Sequence, residues 1–419
     1  MLLALPSQVL SQYASAATLL SVTALLFLIA DAIWKRSAQR SSFASTGGTS
    51  VGKTSSFYGA RDAAPIDVTQ TTPYKSASFD PTTEKPEQWW LDDYISDRVY
   101  ATTMALRSLP PHDWLRIDSN YAARMAHKRN VLEASSSGTL GYEALCCEEG
   151  GAEACEELLG LLVEYLPRRF PRIWTLEQQE GQRRMKNLST GETSLVDRPY
   201  GGRSALEVIG RITEEDLAIL LPGGEGKSAD GLEQEYVLKA AVSAFPAGFD
   251  IKEKMNQPLT SIHDPVPAYK ERLRKAMNKF FSNFGPDKLM MRVNWSINDK
   301  EEFFLVDGGH LYEGDDGIVD ESVDINQVHL RIERQVLRRL PKTGAMCMLT
   351  KTYLHRLVDI AEYPGFAARL GGLLHKLPEK LAFYKRRPVW GKVVLQYLDE
   401  MAQRHPQVSG PQHSGSQKE

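Results

Sequence analysis

Apolar residues recur at helical spacing in several long stretches, and these stretches predict amphipathic helices. The pattern is clearest where Tyr269, Leu273 and Phe280 fall on one face of a helix that ends near residue 284. Pro167 is predicted to end another helix, because proline cannot donate a main-chain hydrogen bond. Further helices are predicted for residues 89–109, 121–129, 142–166 and the C-terminal segment to about residue 397.

The spacing of apolar residues changes to a period of two after residue 285, which predicts strands. Residues 290–297 and 301–307 form one expected hairpin. Residues 329–340 and 345–354 form a second, joined by the turn Pro341–Gly344. Proline and glycine mark such turns between strand-like runs. The sequence therefore predicts antiparallel strands beside the helices.

The second hairpin has an unusual polar pattern. Arg331, Glu333 and Gln335 share one face of an extended chain, and a four-residue turn would set Glu333 opposite Thr352 and Gln335 opposite Thr350. One interpretation is a half-buried sheet whose polar face contacts water. The other is a polar-lined cavity in which arginines pair with the carboxylates of a cofactor or substrate.

A histidine, His263, stands in a stiff part of the chain, in the sequence Ile-His-Asp-Pro-Val-Pro. It follows a strand-like run from Val237 to Phe245 and precedes a predicted helix. Pro265 and Pro267 fix their own φ and bias the residue before each toward an extended conformation. A neutral imidazole is the commonest metal ligand and the proximal ligand of many haem proteins. The competing interpretation is that His263 caps the following helix or satisfies a turn.

The N-terminal segment predicts a membrane anchor. No charged residue occurs before Asp31, and residues 14–33 are apolar enough to cross a bilayer, for which about 20 residues suffice. A cleaved signal peptide is the alternative, but the positive charges, Lys35 and Arg36, follow the apolar run rather than precede it. This order favours a single-pass membrane protein whose C-terminal domain lies in the cytosol.

The chain is predicted to have four parts. Ser, Thr, Gly and Pro enrich the segment after the anchor, which predicts a flexible tether, and the C-terminal residues are polar. The parts are a transmembrane anchor (1–36), a disordered linker (37–85), a globular domain (86–400) and a disordered tail (401–419).

Composition excludes some functions. Of the 419 residues, 42% are hydrophobic and 25% charged, which is typical of a protein with a packed core. The net charge of −3 gives no general attraction to nucleic acid, so no nucleic-acid partner is expected. Four cysteines do not make a disulfide framework, which indicates a reducing compartment.

Four ordered motifs resemble those of a known family, the haem-dependent oxidative N-demethylases, which includes fungal relatives. The motifs are LPRRFP (166–171), IHDPVP (262–267), RVNW (292–295) and LRIERQVLRRLPKTG (330–344). The last is long and fairly specific, whereas RVNW alone would be weak. The similarity spans roughly residues 89 to 390 and leaves out the predicted anchor and tether.

The resemblance implies a haem b held in a fold of class α+β. That fold is a PAS-like antiparallel sheet with flanking helices, here preceded by a single N-terminal transmembrane helix. The resemblance also implies a monooxygenase that uses O₂ to remove a methyl group from a secondary or other methylated amine and releases formaldehyde. Electrons would come from NAD(P)H through a reductase partner, and the membrane would be a further partner through the N-terminal helix.

The same resemblance suggests roles for individual residues. His263 is the expected axial ligand of the haem iron. Arg331, Arg334 and Arg338 are expected to pair with the haem propionates, and Glu333 is the expected catalytic residue that orients a cationic amine. Two alternatives stay open: a membrane-tethered haem or ligand sensor without catalysis, since fold does not fix function, and a haem-free interaction domain.

Overall fold

The computed structural model describes residues 63–86, 95, 100, 102–223, 235–317, 320 and 322–406. Its helices are α1 (Tyr121–Ser136), α2 (Gly151–Arg169), α3 (Ala205–Ile212), α4 (Leu259–His263), α5 (Arg274–Asn283), α6 (Leu357–Ile360), α7 (Phe366–His375), α8 (Glu379–Tyr384) and α9 (Arg387–Arg404). A π-helical turn, Tyr269–Leu273, leads directly into α5.

Ten strands form two antiparallel sheets in the described part of the chain. They are β1 (Arg107–Leu109), β2 (Leu145–Cys147), β3 (Trp174–Gln179), β4 (Gln182–Asn187), β5 (Thr193–Leu195), β6 (Asp216–Pro222), β7 (Tyr236–Val242), β8 (Leu289–Asn298), β9 (His329–Arg339) and β10 (Met346–Arg356). The larger sheet has the order β1-β8-β9-β10-β6-β7-β2, and the smaller one has the order β3-β4-β5.

The hairpin β9–β10 confirms the predicted register. Glu333 pairs with Thr352 and Gln335 with Thr350 across the two strands. Gly344, in the connecting turn, has a φ of 68°, a left-handed conformation that glycine adopts without strain. The alternation of residue types and the Pro–Gly turn were sufficient to fix this pairing.

The other predicted hairpin is wrong. Strand β8 covers residues 289–298, but it pairs with β9 and not with residues 301–307. Leu305 makes only an isolated bridge to Ala247. The long strand β9 pairs with β8 over ten residue pairs. A short local hairpin with residues 301–307 would form fewer main-chain hydrogen bonds.

The central strands have two faces with different neighbours. We call the face that carries Glu333 on β9, with Asn294 on β8 and Thr352 on β10, the Glu333 face. We call the other side, with Arg334 on β9 and Lys351 on β10, the Arg334 face. Successive side chains of a strand point to opposite sides, so every residue of β8, β9 and β10 belongs to one of them.

Two apolar cores hold these strands. On the Arg334 face, Trp295 and Ile332 belong to a core with Phe366 of α7 and Trp390 of α9. Near the turn of the hairpin, Leu337 belongs to a second core that includes the aromatic residues of α5. The apolar stripe predicted for residues 269–284 is therefore part of a core.

Some predicted boundaries move. The segment 142–166 was predicted as one helix, but it contains strand β2 and then α2, which continues past Pro167 to Arg169. The predicted linker extended to residue 85, yet Val68 is buried and the amide of Ile66 donates to the carbonyl of Pro286. Helix α9 continues to Arg404, four residues into the predicted tail.

The predicted fold class and localisation need correction. Within the described residues, no helix is both long enough and apolar enough to cross a membrane. The predicted anchor, residues 14–33, lies outside them. The PAS-like sheet behind a transmembrane helix is therefore corrected to a mixed helix and antiparallel-sheet (α+β) fold. The predicted single-pass membrane localisation is likewise wrong for the part of the chain that is described.

Candidate functional site

A segment of the chain crosses the Glu333 face and is tied to strand β9 at both ends. We call residues 244–284 the crossing segment. At one end, Arg331 donates from Nη2 to the carbonyl of Phe245 at 2.5 Å. At the other, Arg339 donates from Nε to the carbonyl of Phe284 at 2.5 Å and from Nη2 to that of Phe281. Since Arg331 and Arg339 lie on the same face of β9, both ends of the segment lie on that face, and between them residues 256–258 bond to strand β7.

His263 lies within the crossing segment, at the end of the short helix α4. Its Nδ1 donates to the carbonyl of Leu259 at 2.9 Å, because a carbonyl can only accept. In the neutral ring this leaves a lone pair on Nε2, which makes no hydrogen bond with the described residues. The ring stacks on Tyr269, with centroids 4.9 Å apart and planes 12° from parallel.

The surroundings of His263 keep its imidazole neutral. The side chain is half-buried. Burial lowers the pKa of His263, and the positive charges of Arg292 and Lys254 act in the same direction against the hydrogen bond to Leu259. A neutral imidazole whose Nδ1 proton is fixed by a carbonyl is the form that binds a metal ion through Nε2.

Glu333 lies in the middle of the face and is buried, with 7% of its surface exposed. Arg331 Nε donates to Glu333 Oε1 at 2.9 Å, and the amides of Asn294 and Gln335 donate to Oε2 at 3.2 and 3.1 Å. Burial alone would raise the pKa of Glu333, but the charge of Arg331 and these hydrogen bonds lower it below its usual value. Glu333 is therefore a fixed negative charge.

Arg292 of β8 lies on the same face as Glu333, opposite Gln335. It is half-buried, and its Nε is a buried atom without a hydrogen-bond partner. Burial lowers the pKa of Arg292, against the attraction of Tyr100 and Glu333. Arg331 has a similar free atom, the buried Nη1. Two guanidinium groups near Glu333 thus have unused donors.

Two further titratable residues lie close to Glu333. Lys385 donates from Nζ to the carbonyl of Trp295 at 2.6 Å and lies 4.5 Å from the centre of the Trp295 ring. Burial lowers the pKa of Lys385 to about 8. His310 stacks on Tyr384 at 4.4 Å between centroids, and burial lowers its pKa to about 4. Both pKa values respond to the charge of Glu333.

The three arginines predicted from the sequence do not lie together. Arg331 is on the Glu333 face, whereas Arg334 and Arg338 lie on the Arg334 face. Arg334 is bound to the chain itself, since it donates to the carbonyls of Trp114 at 3.1 Å and Asp113 at 2.5 Å.

Arg338 is likewise held on the Arg334 face. It donates to the carbonyl of Ile66 at 3.2 Å, and its guanidinium lies 4.3 Å from the centre of the Trp114 ring. The contact with the ring offsets part of the cost of its two unpaired nitrogens, Nε and Nη1. The structure thus brings Glu333, Arg331 and the crossing segment with His263 together, and it separates Arg334 and Arg338 from them.

The donor set on the Glu333 face fits a haem. A protein supplies haem with an axial ligand and with positive charge for its propionates. His263 offers a free Nε2, and Arg292 and Arg331 offer unpaired guanidinium nitrogens. In the described part of the chain, no group of three or more His, Cys, Asp and Glu side chains is placed to hold a metal ion by itself.

Sequence reasoning missed Arg292, Lys385 and His310. Arg292 stands in the RVNW motif and alternates with Asn294, so a strand-period argument could have placed both on one face. Lys385 and His310 come from separate loops far from β9 in sequence. No local pattern marks them, because only the fold brings them to Glu333.

The sequence matches the model of a known protein family. Residues 105–395 match the model of a family described as haem-dependent oxidative N-demethylase, alpha subunit-like. The matched range includes all of the larger sheet, the crossing segment and the side chains of His263, Arg292 and Glu333. It corresponds to more than half of the 419-residue chain.

Proposed function

The chain belongs to the haem-dependent oxidative N-demethylase, alpha subunit-like family, and on that premise we propose that it oxidatively removes a methyl group from a secondary or other methylated amine. The products are the demethylated amine and formaldehyde. Family membership carries haem dependence and oxidoreductase chemistry. The haem type, the amine and the source of electrons are parts of the proposal.

His263 is proposed as the axial ligand of a haem b. The observation that carries the proposal is the free Nε2 of this half-buried, neutral imidazole, in a segment that crosses the face bearing Glu333. The hydrogen bond from Nδ1 to Leu259 fixes the tautomer and the ring orientation, as partners of metal-bound histidines do in general. When bound, haem supplies the activation of O₂ that no side chain can provide.

Glu333 is proposed to bind the amine. Its pKa is lowered, so at neutral pH it presents a carboxylate to an ammonium group. Arg331, Asn294 and Gln335 hold the carboxylate in one orientation, which would fix the N-methyl group relative to the iron. Lys385, with a pKa of about 8, is suited to exchange a proton near Glu333 at neutral to mildly basic pH.

Partners follow from the chemistry. For each methyl group removed, the proposed reaction consumes O₂, two electrons and two protons, and it forms water besides formaldehyde and the demethylated amine. We propose that NAD(P)H provides these electrons through a separate reductase. No nucleic-acid partner is proposed.

The test uses the purified full-length chain reconstituted with haem b. In the presence of a chemical reductant, O₂ and dimethylamine or another methylated amine, it should produce formaldehyde in a haem-dependent manner. Haem binding with no formaldehyde from any amine of a broad panel would contradict the proposed activity and favour a sensor. A protein that binds no haem would contradict the proposal altogether.

A further inference from the structure

Arg292 is a half-buried cation without a counter-ion in the described part of the chain. No salt bridge or hydrogen bond of its side chain is formed with the described residues, and its Nε is buried and unpaired. Most buried polar groups in proteins are hydrogen-bonded, so a ligand group that accepts from this buried Nε would satisfy a donor that the described residues leave unused.

The charges that attract Arg292 come from Tyr100 and Glu333. Neither residue forms a hydrogen bond or ion pair with Arg292 among the described residues, and the Glu333 oxygens accept hydrogen bonds from Arg331, Asn294 and Gln335 instead. Asn294 stands between Arg292 and Ser296 on the same face of β8, so the strand itself brings no carboxylate to Arg292.

The balance of charge around Glu333 points to an anionic partner. Arg292, Arg331 and Lys385 all act electrostatically on this region, and Arg331 Nη1 is a second unpaired donor. Arginine presents its donors in a planar fork that matches a carboxylate better than it matches a single neutral acceptor.

We propose that Arg292 is a carboxylate-binding residue of this site and that the carboxylate belongs to a bound molecule. Two sources have this chemistry: a haem propionate and the carboxylate of an N-methylated amino acid. In the second case Glu333 binds the ammonium group and Arg292 the carboxylate of the same zwitterion. The inference rests on the proposed function, which it extends from methylated amines in general to the ligand group that Arg292 recognises.

The first arm of the test measures haem binding by the full-length chain. Wild type, Arg292→Gln and the exposed control Arg272→Gln are titrated with haem b and with its dimethyl ester, which has no propionate charge. If the carboxylate is a propionate, Arg292→Gln weakens binding of haem b by about tenfold or more, the loss of one charged hydrogen-bonded pair. Wild type and Arg292→Gln would then bind the dimethyl ester equally.

The second arm measures substrate binding by the haem-loaded proteins, using calorimetry with N-methylglycine and dimethylamine as probes. If the carboxylate belongs to the substrate, Arg292→Gln loses about tenfold or more in affinity for N-methylglycine and little for dimethylamine. Arg292→Lys, which keeps the charge, should recover part of the loss in whichever arm is affected. Arg272→Gln should match wild type in both.

The outcomes separate this inference from the proposed function. Unchanged binding of haem b and of N-methylglycine by a folded Arg292→Gln protein would overturn the role of Arg292, even if wild type produces formaldehyde. If wild type binds no haem, the proposed function fails, and calorimetry with N-methylglycine on the haem-free chain decides about Arg292. Loss of that binding in Arg292→Gln alone would then support the inference, and its absence in wild type would overturn it.

Discussion

The two faces of hairpin β9–β10 both carry buried charges but satisfy them differently. On the Arg334 face, Arg334 donates to two main-chain carbonyls, and Lys351 Nζ lies 3.0 Å from Asp118 Oδ2 and 2.9 Å from Glu214 Oε2. Arg338 on that face has two unpaired nitrogens, but it donates to the carbonyl of Ile66 and lies over the Trp114 ring. On the Glu333 face, Arg331 Nε donates to Glu333 Oε1, while Arg292 forms no hydrogen bond or ion pair with the described residues.

This difference distinguishes charged side chains that are paired within the fold from a charged side chain that is available to a ligand. A cation bound to carbonyls or carboxylates of its own chain is compensated when the protein folds. Arg331 is compensated in the same way by Glu333, whereas Arg292, which pairs with no described residue, is the cation for which we propose a partner on a bound molecule. Substitutions on the Arg334 face should therefore change the stability of the fold, and substitutions on the Glu333 face should change ligand chemistry.

The largest effect is expected from Glu333→Gln on turnover. The substitution keeps the size of the side chain but removes the charge that is proposed to bind the amine. Formaldehyde production should fall by about 100-fold, as is typical when one fixed electrostatic group of an active site is removed. The measurement is the rate of formaldehyde release by the haem-loaded protein at saturating reductant.

The control for this variant is Glu301→Gln, which changes an exposed glutamate. The haem spectra of both variants should resemble that of wild type. Full turnover by Glu333→Gln would show that the carboxylate of the Glu333 face is not needed for chemistry.

Arg334→Met should destabilise the protein without changing its affinity for haem. The substitution leaves the carbonyls of Trp114 and Asp113 without their donor. Losing charged hydrogen bonds to buried acceptors costs about 3 kcal/mol in the free energy of unfolding. Urea unfolding measures this cost, with Arg356→Met, which changes an exposed arginine, as the control.

Arg334→Met should bind haem b with the affinity of wild type to within about twofold, which is well under 1 kcal/mol. The reason is that Arg334 lies on the face opposite Glu333. A marked loss of haem affinity at unchanged stability would place Arg334 at the cofactor, as the sequence first suggested. It would contradict the proposal that only the Glu333 face binds the ligand.

A smaller effect is expected for His310 at acid pH. Burial and the charges of Lys385 and Arg386 lower its pKa to about 4 in the folded protein, against the attraction of Glu333, whereas an unfolded chain has about 6.5. The unfolded state therefore binds a proton between pH 6.5 and 4 that the folded state does not. Stability contributed by His310 is present above pH 6.5 and is lost as pH falls through this range.

His310→Gln removes that titration. The free energy of unfolding of wild type should fall more steeply between pH 6.5 and pH 4 than that of the variant. Chemical denaturation at half-unit steps of pH tests this. Parallel curves for the two proteins would mean that His310 is not held neutral next to Lys385.

The sequence predicted the parts of the fold that local patterns determine. Alternation along β9 and the Pro341–Gly344 turn gave the correct register of β9 with β10. Local patterns cannot decide which strands pair over long distances, so residues 301–307 were wrongly paired with β8. Pro167 did not end α2, because packing of a buried helix overrides a local signal.

The candidate site was predictable to a similar extent. His263 and Glu333 were named from motifs. In the structure, both ends of the crossing segment, which contains His263, are bonded to arginines of the Glu333 face. The three arginines of β9 were grouped as one propionate-binding set although a period of two puts Arg334 and Arg338 on the side opposite Arg331. Arg292 was missed because its unpaired, buried Nε is a result of the fold and not of a local pattern.

The most direct test of the account is the absorption spectrum of His263→Ala. Wild type, His263→Ala and His375→Ala, which changes an exposed histidine of α7, are reconstituted with haem b under identical conditions. We expect a Soret band for wild type and for His375→Ala. For His263→Ala we expect the band to be lost or markedly shifted. Identical spectra for all three folded proteins would remove His263 from the iron and contradict the account.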